Sequence, residues 1–155
     1  MALQTTYGDM PAAQVGRRKN MEEWNGITRT LEGATPLGFA QPVMRGAGVH
    51  GCVVYDGAGK FLGITEADPT KVHATPDRFE QYDSVPIMDM GVIWGMSGGA
   101  CTTGGPVYWI AASGKYTSTA AGNILIPNAE FEDGAAAADT HVSIRLRRVP
   151  AAPAA

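Results

Sequence analysis

The sequence predicts an all-β fold: a compact β-barrel or β-sandwich domain of short strands, preceded by an extended N-terminal arm. Three observations predict it. Apolar residues make up 45% of the 155 positions and fall mostly in runs of roughly four to six, which suits strands better than long amphipathic helices. Twenty Gly and ten Pro punctuate those runs, and only 17% of residues are charged. Densest of all is the stretch DSVPIMDMGVIWGMSGGACTTGGPVYWI from Asp83 to Ile110. In it Val85-Pro86-Ile87-Met88, Met90 to Trp94 and Val107 to Ile110 read as three strands folded back on one another, with a Gly-rich segment from Gly95 to Gly105 between the last two.

Residues 1–35 read as the arm. Leu3, Tyr7, Met10, Val15, Met21, Trp24, Ile27 and Leu31 stand singly among polar residues and sustain neither a period of 2 nor one of 3.6. Either a disordered tail or an arm that orders on a neighbour fits that pattern, and Tyr7 and Trp24 favour the second because aromatics are costly in a purely solvated segment. Fully extended, such an arm reaches on the order of 100 Å. Asn20-Met21-Glu22-Glu23-Trp24 has the make-up of one capped helical turn, and Arg17-Arg18-Lys19 is either a solvated patch or a contact for an acidic partner.

The β-domain is expected over residues 36–149. Pro42 to Arg45, His50 to Tyr55 and Lys60 to Thr65 read as strands, the last two joined as a hairpin by Asp56-Gly57-Ala58-Gly59. Ala67 to Arg78 is a polar surface loop with two prolines. Lys115 to Ser118, Ile124 to Ile126 and Ala129 to Phe131 continue the strand pattern, and Gly134 to Asp139 is a small-residue connection. From His141 the chain alternates: Val142, Ile144 and Leu146 point one way, His141, Ser143, Arg145 and Arg147 the other, as in a half-buried closing strand. Residues 150–155 form a flexible Pro/Ala tail.

Composition narrows the function. A net charge of −3 leaves no basic footprint for nucleic acid, and no apolar run approaches the ~20 residues of a membrane span. The opening MALQTTYGDMPAA lacks the charged region and apolar stretch of a signal peptide, so synthesis in a cytosol and retention there are expected. Cys52 and Cys101 lie in different apolar runs and read as two buried small hydrophobes, with a cross-strand disulfide as the alternative.

Chemistry-bearing patterns are sparse. Gly95-Met96-Ser97-Gly98-Gly99 matches GxSxG in letters, but the chain then runs through a Gly-rich turn into another strand, whereas a nucleophile elbow requires a helix there. A small serine hydrolase would have to use Ser97; a turn or bulge is the competing reading. His50, His73 and His141 have no partners at ligand spacing, and Glu130, Glu132 and Asp133 lack the glycine and alternating oxygen ligands of a calcium loop. No metal, cofactor or catalytic residue is expected. A carbohydrate- or host-surface-binding module using Trp94, Tyr108 and Trp109 remains a second class.

A series of segments resembles the tailed-phage capsid cement, or head decoration, family. It runs Phe61-Leu62-Gly63-Ile64-Thr65, Asp83-Ser84-Val85-Pro86-Ile87, Gly91-Val92-Ile93-Trp94, Gly104-Gly105-Pro106-Val107-Tyr108, Gly114-Lys115-Tyr116-Thr117, Gly122 through Phe131, and Val142 to Leu146. Met1 to Thr6 and Thr35-Pro36-Leu37-Gly38-Phe39 are similar too, whereas Gly95 to Thr103 and the loop Asp68 to Arg78 depart from the family pattern. The resemblance implies a non-enzymatic protein on the outer surface of an icosahedral head. Its partners would be the major capsid protein and, as a homotrimer, itself. Within that frame Tyr7, Trp24 and Ile27 are the expected arm anchors, and Arg17, Arg18 and Lys19 the expected contacts to acidic capsid residues.

Overall fold

The computed structural model of the chain describes residues 14–147. They form eleven strands: β1 (Asn25–Leu31), β2 (Leu37–Gly38), β3 (Pro42–Arg45), β4 (Gly51–Val54), β5 (Phe61–Thr65), β6 (Arg78–Phe79), β7 (Ser84–Met96), β8 (Pro106–Ile110), β9 (Lys115–Thr117), β10 (Ile124–Asp133) and β11 (His141–Leu146). The all-β class is therefore correct.

Strand β7 organises the molecule. At 13 residues it is long enough to serve two sheets. Its first half pairs with β1 and β5, and its second half pairs with β11 from Gly91 to Met96. The order β1-β4-β3-β5-β7, with β1 also bonded to β7, closes a five-stranded barrel. Beyond Gly91 the order continues β7-β11-β10-β8-β9, and a bridge from Ser97 to Tyr116 brings β9 back to the end of β7. Closing both sheets leaves few exposed strand edges. Gly91 sits at the change-over with φ +130, where a Cβ would lie 3.0 Å from that of Trp24. Asp89 alone separates the two expected runs, and a reversal takes at least a two-residue loop, so Val85–Met88 and Met90–Trp94 are one bent strand and do not fold back on one another.

Each barrel has its own apolar cluster. Leu31, Leu37, Val43, Phe79, Val85 and Ile87 lead one; Ile93, Trp109, Tyr116, Phe131, Val142 and Ile144 lead the other. Ile64 and Met88 belong to the second cluster although their strands build the first barrel, so the two cores meet across β5 and β7. Burial of each such side chain stabilises the fold by roughly 1.5–3 kcal/mol. One polar tie crosses the junction: Tyr116, wholly buried, donates its hydroxyl to the Ala40 carbonyl at 2.6 Å. Tyr116→Phe removes that donor from a dry site, and a loss of about 1–3 kcal/mol in urea unfolding is expected. An unchanged midpoint would show that the hydroxyl contributes nothing.

The structure departs from expectation at several points. The folded unit begins before Pro36, since β1 lies within the expected arm and its Leu31 is fully buried. β1 escapes notice because its half-buried face carries Asn25 and Arg29 beside Ile27, which blurs the period-2 signal. The expected β4–β5 hairpin does not form: both strands pair with β3, which lies between them, and Asp56 instead accepts hydrogen bonds from the amides of Ala58 and Gly59. Residues 20–24 form no helix; Asn20 accepts from the Glu22 amide in a short turn. The runs at Ile124 and Ala129 are joined in β10, bent where Asn128 takes φ +57. Two-residue strands such as β2 and β6 carry too little periodicity to be read. On β11, Ser143 is buried although it belongs to the polar face. Residues 150–155 lie outside the described residues, as does Tyr7.

Candidate interaction surface

Residues 14–24 lie as a strap across the second half of β7. Gly16 and Lys19 donate backbone hydrogen bonds to the carbonyls of Trp94 and Val92, and Trp94 donates to that of Arg17. On the barrel side, Ala67 donates to the Gly16 carbonyl at 2.9 Å. The strap therefore ties both barrels together before the chain enters β1.

Its charges are mostly matched within the molecule. Arg18 pairs with Glu66 at 2.7 Å, and its guanidinium lies 3.2 Å from the centre of the Trp24 ring. Lys19 pairs with Asp133 and donates to the Ser143 hydroxyl at 3.3 Å, which explains why that serine is covered. Glu22 pairs with Arg145, which also bonds Glu132 at 2.7 Å. Of the basic triplet only Arg17 makes no side-chain ion pair or hydrogen bond among the described residues. Ile27 is half-buried and packs against the first core. What faces solvent is Met21, 99% exposed, and Trp24, 47% exposed. Beside them a cleft of about 360 Å³ is lined by Glu22, Glu23, Met90, Gly91, Leu146 and Arg147, among others.

The strap's ion pairs make its docking acid-labile. The Lys19 ammonium holds the Asp133 carboxyl below its usual range, and the Arg145 guanidinium does the same for Glu132 and Glu22. A carboxylate with a depressed folded-state pKa stabilises above its unfolded pKa, and that contribution is lost as pH falls through the folded value. These pairs therefore leave stability flat from pH 7 to about 5 and remove it below about 4. Lys19→Met and Arg145→Met are expected to lower Tm at pH 7 and to flatten its fall below about pH 4. A parallel acid limb in both variants would refute the assignment.

The remaining candidates are internal. Ser97 is fully buried; its hydroxyl donates to the Ala137 carbonyl at 2.7 Å and accepts from the Thr140 amide at 3.0 Å, so it braces the loop before β11. Trp94 and Trp109 are 6% and 4% exposed and offer no platform for a sugar ring; Tyr108 is half-buried. Cys52 and Cys101 are free and buried, as two small hydrophobes would be, and burial pushes both thiols up to about 11. His73 lies in a surface loop with its Nε2 2.6 Å from Asp83. Among the described residues no group of three His, Cys, Asp or Glu side chains converges as a metal site would.

Four further large apolar residues are exposed: Leu125 on β10, and Val49, Val72 and Tyr82 in loops, which sequence reasoning missed because a single apolar residue in a loop carries no periodic signal.

Known proteins place this architecture. A chain from the capsid of Myoviridae phage XM1 has a similar fold, with a TM-score of 0.68 at 15% identity over 95% of this chain and 96% of that one. Among curated proteins none matches the sequence. The family model described as structural cement protein (E217 gp24/Pam3 gp6) matches residues 3–147, nearly the whole chain. This protein, two closed β-barrels sharing one strand, belongs to the phage structural cement family.

Proposed function

We propose that the chain binds the outer surface of an expanded icosahedral phage head and fastens neighbouring major capsid protein subunits, without catalysis. The family match over residues 3–147 carries this reading. The mechanism is one of linkage: a subunit seated across a seam must be released before the seam opens, so its binding free energy adds to the stability of the closed shell, copy by copy.

The strap supplies the first contact. Met21 and Trp24 are the exposed anchors, Arg17 is the cation of the same strap left for a capsid carboxylate, and residues 1–13, which include Tyr7, extend the contact. Arg18 and Lys19 hold the strap to its own domain, which presents Trp24 in one orientation before binding.

Co-sedimentation with expanded and unexpanded capsids tests the reading. Saturable binding to the expanded shell at a fixed copy number is expected, weakened about tenfold or more by a paired Met21→Ser, Trp24→Ser substitution. If neither shell retains the full chain, the cement function is wrong.

A further inference from the structure

We infer that the chain carries a second capsid contact at the far end of β1, built around Tyr82, and that this contact grips a different capsid subunit from the one held by Met21 and Trp24. The inference rests on the cement reading and specifies how one chain bridges two subunits.

Three loops meet at that end of the first barrel. Tyr82 donates its amide to the carbonyl of Leu31, the last residue of β1, at 2.7 Å. Residues 46–50 join them, because His50 accepts from the Thr30 amide while Ala47 and Gly48 donate to the Glu32 carboxylate. The loop from Ala67 arrives through Lys71 and His73, both of which pair with Asp83. Each loop presents one large apolar side chain: Val49 is 77% exposed, Val72 89% and Tyr82 74%. Three of the six large apolar side chains that face solvent among the described residues lie on these loops.

Tyr82 is held there against its backbone preference. Its φ is +70, a region bulky L-residues rarely adopt. The turn is fixed on both sides: the Asp83 and Glu80 amides bond across it to the Glu80 carbonyl and the Asp83 carboxylate, and Gln81 donates to the Glu32 carbonyl. Strain maintained by surrounding bonds while the aromatic ring itself faces water points to a ring selected for contact.

The charges set the chemistry of the partner. Asp83 is paired with Lys71 and bonded by His73, Glu80 lies 3.5 Å from His73, and Glu32 accepts from backbone amides, so each carboxylate at this end already has a partner within the chain. It fits an uncharged apolar ledge. The area argues against a second copy of the chain as occupant: three side chains expose on the order of a few hundred Å², whereas a stable dimer needs about 800 Å² per partner. So small a contact becomes useful when the chain is already tethered elsewhere. The tether is the Met21 and Trp24 surface at the opposite end of β1, whose seven residues separate the two by about 20 Å.

The test uses the full chain carrying Tyr82→Asn with Val72→Ser. Asn adopts positive φ readily, so Tm is expected to stay level or rise, which removes misfolding as an explanation of lost binding. Binding to expanded capsids is expected to weaken tenfold or more. At concentrations that restore saturation, the variant is expected to leave the heat-disruption temperature of the shell below the value reached with the unaltered chain. Unchanged binding and unchanged shell protection would overturn the second contact and leave the cement reading standing. Failure of the unaltered chain to bind would remove both. If sedimentation equilibrium shows the unaltered chain self-associating and the variant monomeric with full capsid affinity, Tyr82 serves a second copy and the inference is wrong.

Discussion

Deleting residues 1–31 is expected to abolish folding, whereas deleting residues 1–13 leaves a cooperative unfolding transition in place. β1 is a stave of the first barrel: it pairs antiparallel with β7 from Asn25↔Met90 to Thr30↔Ser84, and parallel with β4 at Thr30 and Leu31. Removing it opens both neighbouring edges and deletes Leu31, a fully buried residue whose truncation alone costs about 2–5 kcal/mol. The backbone pairs lost with it bring the total to the scale of a domain's whole stability, about 5–15 kcal/mol. Circular dichroism and urea melts of the two deletions check this. A cooperative melt without residues 1–31 would show that the barrel closes without β1. The practical consequence concerns binding assays: a truncation that runs into β1 confounds loss of the arm with loss of the fold, so residues 1–13 and the exposed pair Met21 and Trp24 are the proper targets.

Gly63→Val is expected to destabilise the protein by about 3 kcal/mol or more, enough to leave much of it unfolded at physiological temperature. Gly63 lies in β5 where that strand meets β7. A Cβ there would sit 2.2 Å from the Met88 carbonyl oxygen and 2.8 Å from the Ile87 side chain. The carbonyl belongs to the shared strand, so relief requires moving β7, and with it the pairing of both barrels. The contrast is Gly122→Ala, where nothing lies within 4 Å of the added Cβ. That substitution has only the strain of φ +72 to overcome, roughly 1–2 kcal/mol. Equal midpoints for the two variants would mean that the approach of β5 to β7 is not tight.

The two predictions concern the same feature, dependence on β7, and the sequence hints at it only partly. The density of apolar runs around Asp83 to Ile110 marks the centre of the fold correctly. It does not reveal that two of those runs are one strand, because continuity across Asp89 depends on β1 and β5 binding one half while β11 binds the other.

The candidate surface was legible in the same partial way. Trp24 stood out as an aromatic in a polar segment, and it is half-exposed beside Met21. Arg18 and Lys19 stood out as a basic cluster, yet their partners Glu66 and Asp133 lie 48 and 114 residues away. No local pattern announces such pairs. Ile27 read as an anchor for a partner, and alternation along β1 packs it, half-buried, against the first core on the side of Leu31.

Sequence by itself determined the all-β class, most strands from β3 onward, the inward set Val142, Ile144 and Leu146, and, through the ordered series of segments, the cement family. Those features are written in short-range periodicity and turn chemistry, which each strand carries alone. Only tertiary structure decided that β1 closes a barrel, that β7 belongs to two, that Trp94 and Trp109 are core, and that Tyr82 is held at positive φ facing solvent. Each of these depends on which distant segment lies alongside, and the free energy that selects the neighbour comes from contacts formed only when both barrels close.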